Sequence, residues 1–282
     1  MRRTLRWSTL LLVLGGVLSG LWLVHHLALQ RHSALALPAA SNQGEPRTMV
    51  WAWETPEDLT ELNPARSGVA FLARELLLVG EGAAPRLIVW PRQQPLQVAP
   101  GAWLMADVRI EVHTRSPLTE TPALRQQMIA AILPVLAEPQ VRGLQIDFDA
   151  TASQLGFYRT LLGELRAQMP ADVPLSITAL ASWCGEGGWV GGLNVPTHVV
   201  DEAVPMFFRM GGTPQSRATQ LKSTAGIRQP LCATSMGVAT DETWPHLRDN
   251  ERVYIFRTGP WTSADVATLN TRGYAGLPHP TP

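Results

Sequence analysis

From Pro122 onward the chain alternates helix-like and strand-like segments joined by short turns, and that rhythm limits its folds more than any other feature. Leu124, Met128, Ile132, Leu133 and Leu136 recur at helical spacing over Pro122–Ala137, and Leu155, Tyr158, Leu161, Leu162 and Leu165 do so over Thr151–Met169. Strand signals lie between and after them, at Val141–Asp149, Leu175–Leu180, Val199–Met210, Pro230–Val238 and Arg252–Thr258. Helices are expected at Gln215–Thr224, Asp241–Asp249 and Ser263–Asn270, and Gly185–Gly192 reads as a loop. Before Pro122, strands are expected at Thr48–Glu54, Gly68–Val79 and Trp103–Val112. Arg86–Trp90 is a strand outside the rhythm, and Pro56–Asn63 is a short turn or helix. About eight alternations in roughly 230 residues suit an α/β chain closed into a (β/α)8 TIM-like barrel over 48–282. An open doubly wound sheet is the alternative. It usually carries a Gly-rich phosphate loop after its first strand, and Gly80-Glu-Gly82 is only a turn signal.

The first 37 residues stand apart. Arg2, Arg3 and Arg6 precede Trp7–Leu29, which is almost wholly apolar. About twenty such residues can span a bilayer, which favours an uncleaved signal anchor, while Ala34-Leu35-Ala36 leaves a cleaved signal peptide open. Arginines before the segment would leave the N-terminus in the cytoplasm, so the barrel is expected to be periplasmic or extracytoplasmic, tethered to the inner membrane. Residues 38–47 read as a polar linker.

All 23 acids follow residue 37, whereas Arg2, Arg3, Arg6 and Arg31 of the 23 basic residues precede it. The body is therefore acidic, which argues against a nucleic-acid partner. Cys184 and Cys232 would lie where disulfides form, but sequence does not say whether they come within range. No Cys/His spacing suits zinc and no oxygen-rich loop suits a hard cation, so neither metal nor cofactor is expected. Lone His113 and His198 read as surface or packing residues, and no Gly-x-Ser-x-Gly elbow is present.

In a TIM barrel, functional residues gather at the C-terminal ends of the strands. Those ends supply Trp53 and Glu54, Arg74 and Glu75, Arg109 and Glu111, Asp147 and Asp149, Trp183, Met206, Phe208 and Arg209, Met236, and Arg257. Flat indoles interleaved with carboxylates and arginines suit sugar rings. Trp51, Trp90 and Trp103 read as core instead. Along Val141–Asp149, Gln145, Asp147 and Asp149 alternate with Leu144, Ile146 and Phe148, so the polar set shares one side. Extended geometry would set the two carboxylates roughly 6.6 Å apart, close enough to raise one pKa. The blander reading is that Asp149 caps the next helix.

Gly143-Leu-Gln-Ile-Asp-Phe-Asp149 resembles the fourth-strand signature of the family-18 glycoside hydrolases, the chitinases and their relatives, in which Asp-x-Asp-x-Glu ends in the catalytic acid. The resemblance places Gln145 at the first acid, Asp147 at the second and Asp149 at the catalytic Glu. Val204-Pro-Met206-Phe-Phe208 resembles that family's sixth-strand Met-x-Tyr, with Phe208 replacing the tyrosine. Gln145–Asp149, Leu175–Leu180 and Asp201–Met206 together more closely resemble an uncharacterised bacterial family of the same barrel superfamily, over Thr48 to Tyr274. The resemblance implies a carbohydrate ligand, catalytic Asp149 and Asp147, and Gln145, Met206 and Phe208 at the family's site positions; the strand-end reading adds Trp53, Glu54, Arg109, Glu111, Trp183 and Arg209 as substrate contacts.

The departures narrow the chemistry. Asp149 is one methylene shorter than Glu, Phe208 donates no hydrogen bond, and Gln145 removes a carboxylate, all of which argue against acetamide-assisted hydrolysis. What remains is an envelope-anchored hydrolase whose second carboxylate is Glu54, Glu75 or Glu111 across the mouth. The alternatives are a non-catalytic barrel that binds glycan or an envelope protein, and a structural role in which Asp147 pairs with Arg109 or Arg209.

Overall fold

The computed structural model describes residues 44–80, 85–114, 121–185, 198–208, 226–247 and 251–280. They hold strands β1 (Thr48–Ala52), β2 (Glu57–Leu59), β3 (Ser67–Gly80), β4 (Arg86–Pro91), β5 (Leu96–Val98), β6 (Leu104–Thr114), β7 (Val141–Asp147), β8 (Leu175–Leu180), β9 (Glu202–Met206), β10 (Ser235–Ala239) and β11 (Arg252–Phe256). Helices α1 (Pro122–Ile132), α2 (Leu155–Arg166) and α3 (Ser263–Arg272) accompany them. The anchor and linker expectations cover residues 1–47, of which 1–43 lie outside the described residues, as do Gln215–Thr224 and Arg209. Among the described residues no helix is long and apolar enough to cross a membrane.

Eight strands close into a parallel barrel in chain order: β1, β3, β6, β7, β8, β9, β10 and β11, with β11 pairing back to β1. The strand of Asp147 is thus the fourth and that of Met206 the sixth. β4 lies outside the ring as an antiparallel hairpin partner of β3, in keeping with its place outside the rhythm. β2 and β5 form a separate two-stranded sheet, where a turn or helix was expected at Pro56–Asn63.

Alternation of side chains sorts the core into two layers. Outward residues such as Val108, Leu144 and Ile146 pack under Leu124, Met128 and Ile132 of α1 and Phe157, Leu161 and Leu165 of α2. Inward residues form a second cluster that includes Trp51, Trp103, Met105, Met206, Phe208 and Tyr254. Gly143 and Gly237 make room for it. A Cβ at Gly143 would lie 2.9 Å from the Trp103 ring, and one at Gly237 2.8 Å from the Trp51 ring.

Local chemistry explains the helix ends. Thr121 caps α1, accepting from the Leu124 N–H at 3.1 Å, with Pro122 at the first turn. Thr262 and Asp265 form a capping box on α3. The expected helix at Asp241–Asp249 is absent over its described part, 241–247. Pro245 lacks an N–H and disfavours helix at Trp244, whose indole N–H instead binds the Ala239 carbonyl at 2.7 Å. Pro230–Cys232 is a 3-10 turn, so the strand expected from Pro230 begins only at Ser235. Cys184 and Cys232 do pair, at a Cα–Cα distance of 5.9 Å. By chain entropy, a bridge spanning 48 residues contributes about 4 kcal/mol.

Candidate active site

β3 and β6 run past the other strands, staying paired up to Gly80 and Thr114, and form one wall of the barrel mouth. The register lays side chains in rows across it. Glu75, Arg109 and Asp147 are cross-strand partners, and one pleat deeper so are Leu72, Asp107, Gln145 and Ser176. A bulge between Leu72 and Arg74 inserts Ala73 and reverses the alternation beyond it. Glu75 therefore joins the mouth row. Arg74, expected at the mouth, turns outward and donates to the Ala131 carbonyl of α1 at 2.8 Å.

Asp147 ends β7 and is half-buried. Its Oδ1 accepts from the Thr178 hydroxyl of β8 at 2.6 Å. Burial raises its pKa, against the opposing effects of Thr178 and Arg109. The strand stops there. The Ala150 N–H turns back to the Phe148 carbonyl at 2.7 Å, so Asp149 stands in a loop, not in an extended continuation of the strand. Asp149 is exposed, yet desolvation of its carboxyl and the charge of Asp147 raise its pKa to about 6. It does not cap the next helix: Thr151 and Gln154 form that capping box themselves.

Asp147 and Asp149 share a pocket of 250 Å³ with Arg109, Glu111 and His113. Arg109 forms an ion pair with Glu111, which His113 also meets at 3.3 Å, and its guanidinium stands 5.8 Å from the Trp53 ring. Among the described residues the direct partner of Asp147 is therefore Thr178, and Arg109 acts on it only through the field. The structural reading thus lacks a direct pair at Arg109, while its other candidate, Arg209, lies outside the described residues.

Several expected contacts lie elsewhere. Gln145 is fully buried; its Oε1 accepts from the Trp51 indole at 2.9 Å and its Nε2 donates to Ser176 at 3.0 Å. Both ends of the amide are thus spent on bracing the interior. Met206 and Phe208 are buried in the inner cluster, with Phe208 stacked on Phe256 at 5.4 Å. Trp183 belongs to the outer core. Met236 is buried, and Arg257 binds Asp265 of α3 at 3.0 Å. Trp53, Glu54, Arg109 and Glu111, with the two aspartates, remain around the mouth.

Four groups were missed. Asp107 is fully buried, neither carboxyl oxygen has a hydrogen-bond partner, and burial followed by the charge of Asp147 holds its pKa well above normal. The buried Tyr158 hydroxyl, likewise unpartnered, is raised by burial and by Asp147, Asp107 and Asp149. Thr178 anchors Asp147. Trp90, expected in the core, is 49% exposed. The available signal was that Asp107 breaks an apolar run one alternation below Arg109; nothing marked Tyr158 or Trp90.

A family model described as a domain of unknown function (DUF3142) matches residues 104–204, which carry β6 to β8, part of β9 and both aspartates. No curated protein matches the sequence. The solved structures that match include the following two. The Bacillus cereus spore cortex-lytic enzyme SleL is 17% identical over 80% of this chain and 58% of its own, with a TM-score of 0.43. A fungal endo-beta-N-acetylglucosaminidase of glycosyl hydrolase family 18 is 12% identical over 83% and 87%, with a TM-score of 0.42. The chain spans little more than half the length of the former. The barrel assignment rests on its own strand order.

Proposed function

We propose that this barrel is a glycoside hydrolase-like protein whose mouth binds an oligosaccharide or polysaccharide and protonates its glycosidic oxygen from Asp149. The observation that carries the reading is an exposed carboxyl with a pKa of about 6 in the same pocket as a second aspartate and an ion-paired glutamate. Proton donation needs a group that is still partly protonated near neutral pH. Thr178 holds Asp147 in place, and desolvation, followed by the charge of Asp147, favours the proton on Asp149. Glu111, oriented by Arg109, is the carboxylate available to support the sugar cation or activate water. The Gln-x-Asp-x-Asp strand with its family-18 likeness agrees with this assignment of roles.

The acid form of Asp149 is the active one, so turnover should fall as pH rises through about 6. Asp149→Asn should lower hydrolysis of a labelled oligosaccharide panel by about 10²–10⁴-fold, with the fold and glycan affinity kept. Unchanged turnover in that variant would remove Asp149 from the chemistry. A non-catalytic glycan-binding barrel is the second reading, favoured by Phe208, which packs on Phe256 where a hydroxyl donor would serve catalysis. It predicts saturable binding with no hydrolysis anywhere in the panel.

We also infer that Trp7–Leu29 tethers the barrel to the inner membrane outside the cytoplasm, a compartment in which the Cys184–Cys232 bridge would persist. Loss of the full-length chain from carbonate-washed membranes would count against the tether.

A further inference from the structure

We propose that the Trp90 indole and the cleft beside it form a second sugar subsite, set apart from Asp149, so that the ligand is an uncharged or amino-sugar chain of several rings. This deepens the preceding reading and rests on it. Trp90 and Val89 are the large apolar side chains that stand exposed among the described residues. Register fixes which way Trp90 faces. It pairs with Glu75, Glu75 with Arg109, and Arg109 with Asp147, and cross-strand partners share a face of the sheet. The indole thus looks onto the mouth row, three strand spacings or ~14 Å from Asp147. That span holds more than one sugar ring.

The cleft beside it has a volume of 470 Å³ and is lined by Trp53, Glu54, Glu75, Trp90, Gln93 and Gln94 among others. Its shape is fixed from below. Arg92 donates to the carbonyls of Gln94 at 2.8 Å, Ala52 at 3.1 Å and Thr55 at 2.8 Å, tying the hairpin to the end of β1. Each of its three nitrogens is held by a backbone carbonyl, so Arg92 is a post that holds Trp53 and Trp90 in register. Such preorganisation lowers the ordering cost of binding. Flat aromatic area edged by carboxylates and amides matches a ring with C–H faces and equatorial hydroxyls. A hydrocarbon ligand would bury those polar groups unpaired. Glu54 and Glu75 in the cleft and Asp147, Asp149 and Glu111 beyond it outnumber the Arg92 and Arg109 that share these cavities, so an acidic polysaccharide would be repelled.

The test is a chain-length series of cello- and chito-oligosaccharides, two to six units, titrated calorimetrically against wild type, Trp90→Ala, Trp90→Phe and Asp149→Asn. Affinity should rise with length. Trp90→Ala should lose about tenfold on the longer chains and nothing on the disaccharides, with Trp90→Phe largely restoring it. A polyuronate of equal length should bind at least tenfold more weakly than the neutral hexamer. Trp90→Ala that binds hexamers like wild type overturns the subsite while leaving Asp149-dependent hydrolysis untouched. Length-dependent binding that needs Trp90, with no hydrolysis in any panel, upholds the subsite and removes the catalytic reading. Wild type that binds none of these glycans, or prefers a basic peptide or the polyuronate, overturns the subsite.

Discussion

The two ends of the barrel each gather a cluster of ionisable groups and settle their charge in opposite ways. At the floor, Arg252 of β11 meets both carboxylate oxygens of Glu202 at 3.2 Å, forms an ion pair with Glu45, and donates through Nε to the Pro46 carbonyl at 3.1 Å. The Tyr254 hydroxyl donates to Glu202 as well. Desolvation would lower the pKa of Arg252, but the surrounding negative charge outweighs it and keeps the guanidinium ionised. At the mouth, Asp107, Asp147, Asp149, Glu75 and Glu111 crowd around Arg109 and His113, and both oxygens of Asp107 lack a partner. A saturated cluster braces a fold. At the mouth Glu75, Asp107, Asp147 and Asp149 are made harder to ionise, by burial first and by neighbouring carboxylates after it, which costs stability and is what a proton-handling site looks like.

The largest expected effect tests the floor. Arg252→Met leaves Glu202 and Glu45 buried without their cation and should cost about 3–5 kcal/mol in urea unfolding, because an uncompensated buried charge remains. Glycan affinity at the mouth should not move once the variant is folded. A loss under about 1 kcal/mol would mean that the floor is not a brace, and the contrast between the ends would collapse.

The next effect has the opposite sign. Asp107 has a raised folded pKa, so folding takes up a proton from pH just above the unfolded value of about 3.9 upward, and wild-type stability falls as pH rises through that window. Asp107→Asn cannot titrate. It should be more stable than wild type by about 1–3 kcal/mol at pH 7, with the difference closing as pH falls toward 4. A gap of constant size across that range would show that Asp107 carries no such proton.

How much of this was readable in advance depends on the range of the interaction. The closed barrel followed from local periodicity, because α1, α2 and their neighbouring strands each bury one regular stripe. The aspartate pair on one strand was equally local. What failed depends on pairing between distant segments. The bulge at Ala73 that exchanges Arg74 for Glu75 at the mouth exists only in the β3–β6 register. Gln145 looked like a ligand contact until Trp51, 94 residues earlier, and Ser176 took both ends of its amide. Trp90 looked like core because hydrophobicity is local, while the edge position of β4 is set by topology. Asp149 looked extended because alternation says nothing about where a ladder stops.

The smallest effect calibrates the other two. Arg125 of α1 holds Glu164 of α2 through Nε at 2.9 Å and Nη2 at 2.8 Å, on a solvated face where the hydrogen bonds from Arg125 lower the carboxyl's pKa. A depressed folded pKa contributes stability above the unfolded value of about 4.3 and loses it as pH falls through the folded one. Glu164→Gln should therefore cost only about 0.2–1 kcal/mol at pH 7 and converge on wild type in acid. Convergence at low pH is shared with Asp107→Asn, but for the reverse reason: there wild type gains stability as it acidifies, and here it loses it. Stability curves from pH 3 to 8 should place Glu164→Gln below wild type and Asp107→Asn above it at neutral pH. Both variants falling on the same side would show that the mouth carboxylates are held no differently from an ordinary surface pair.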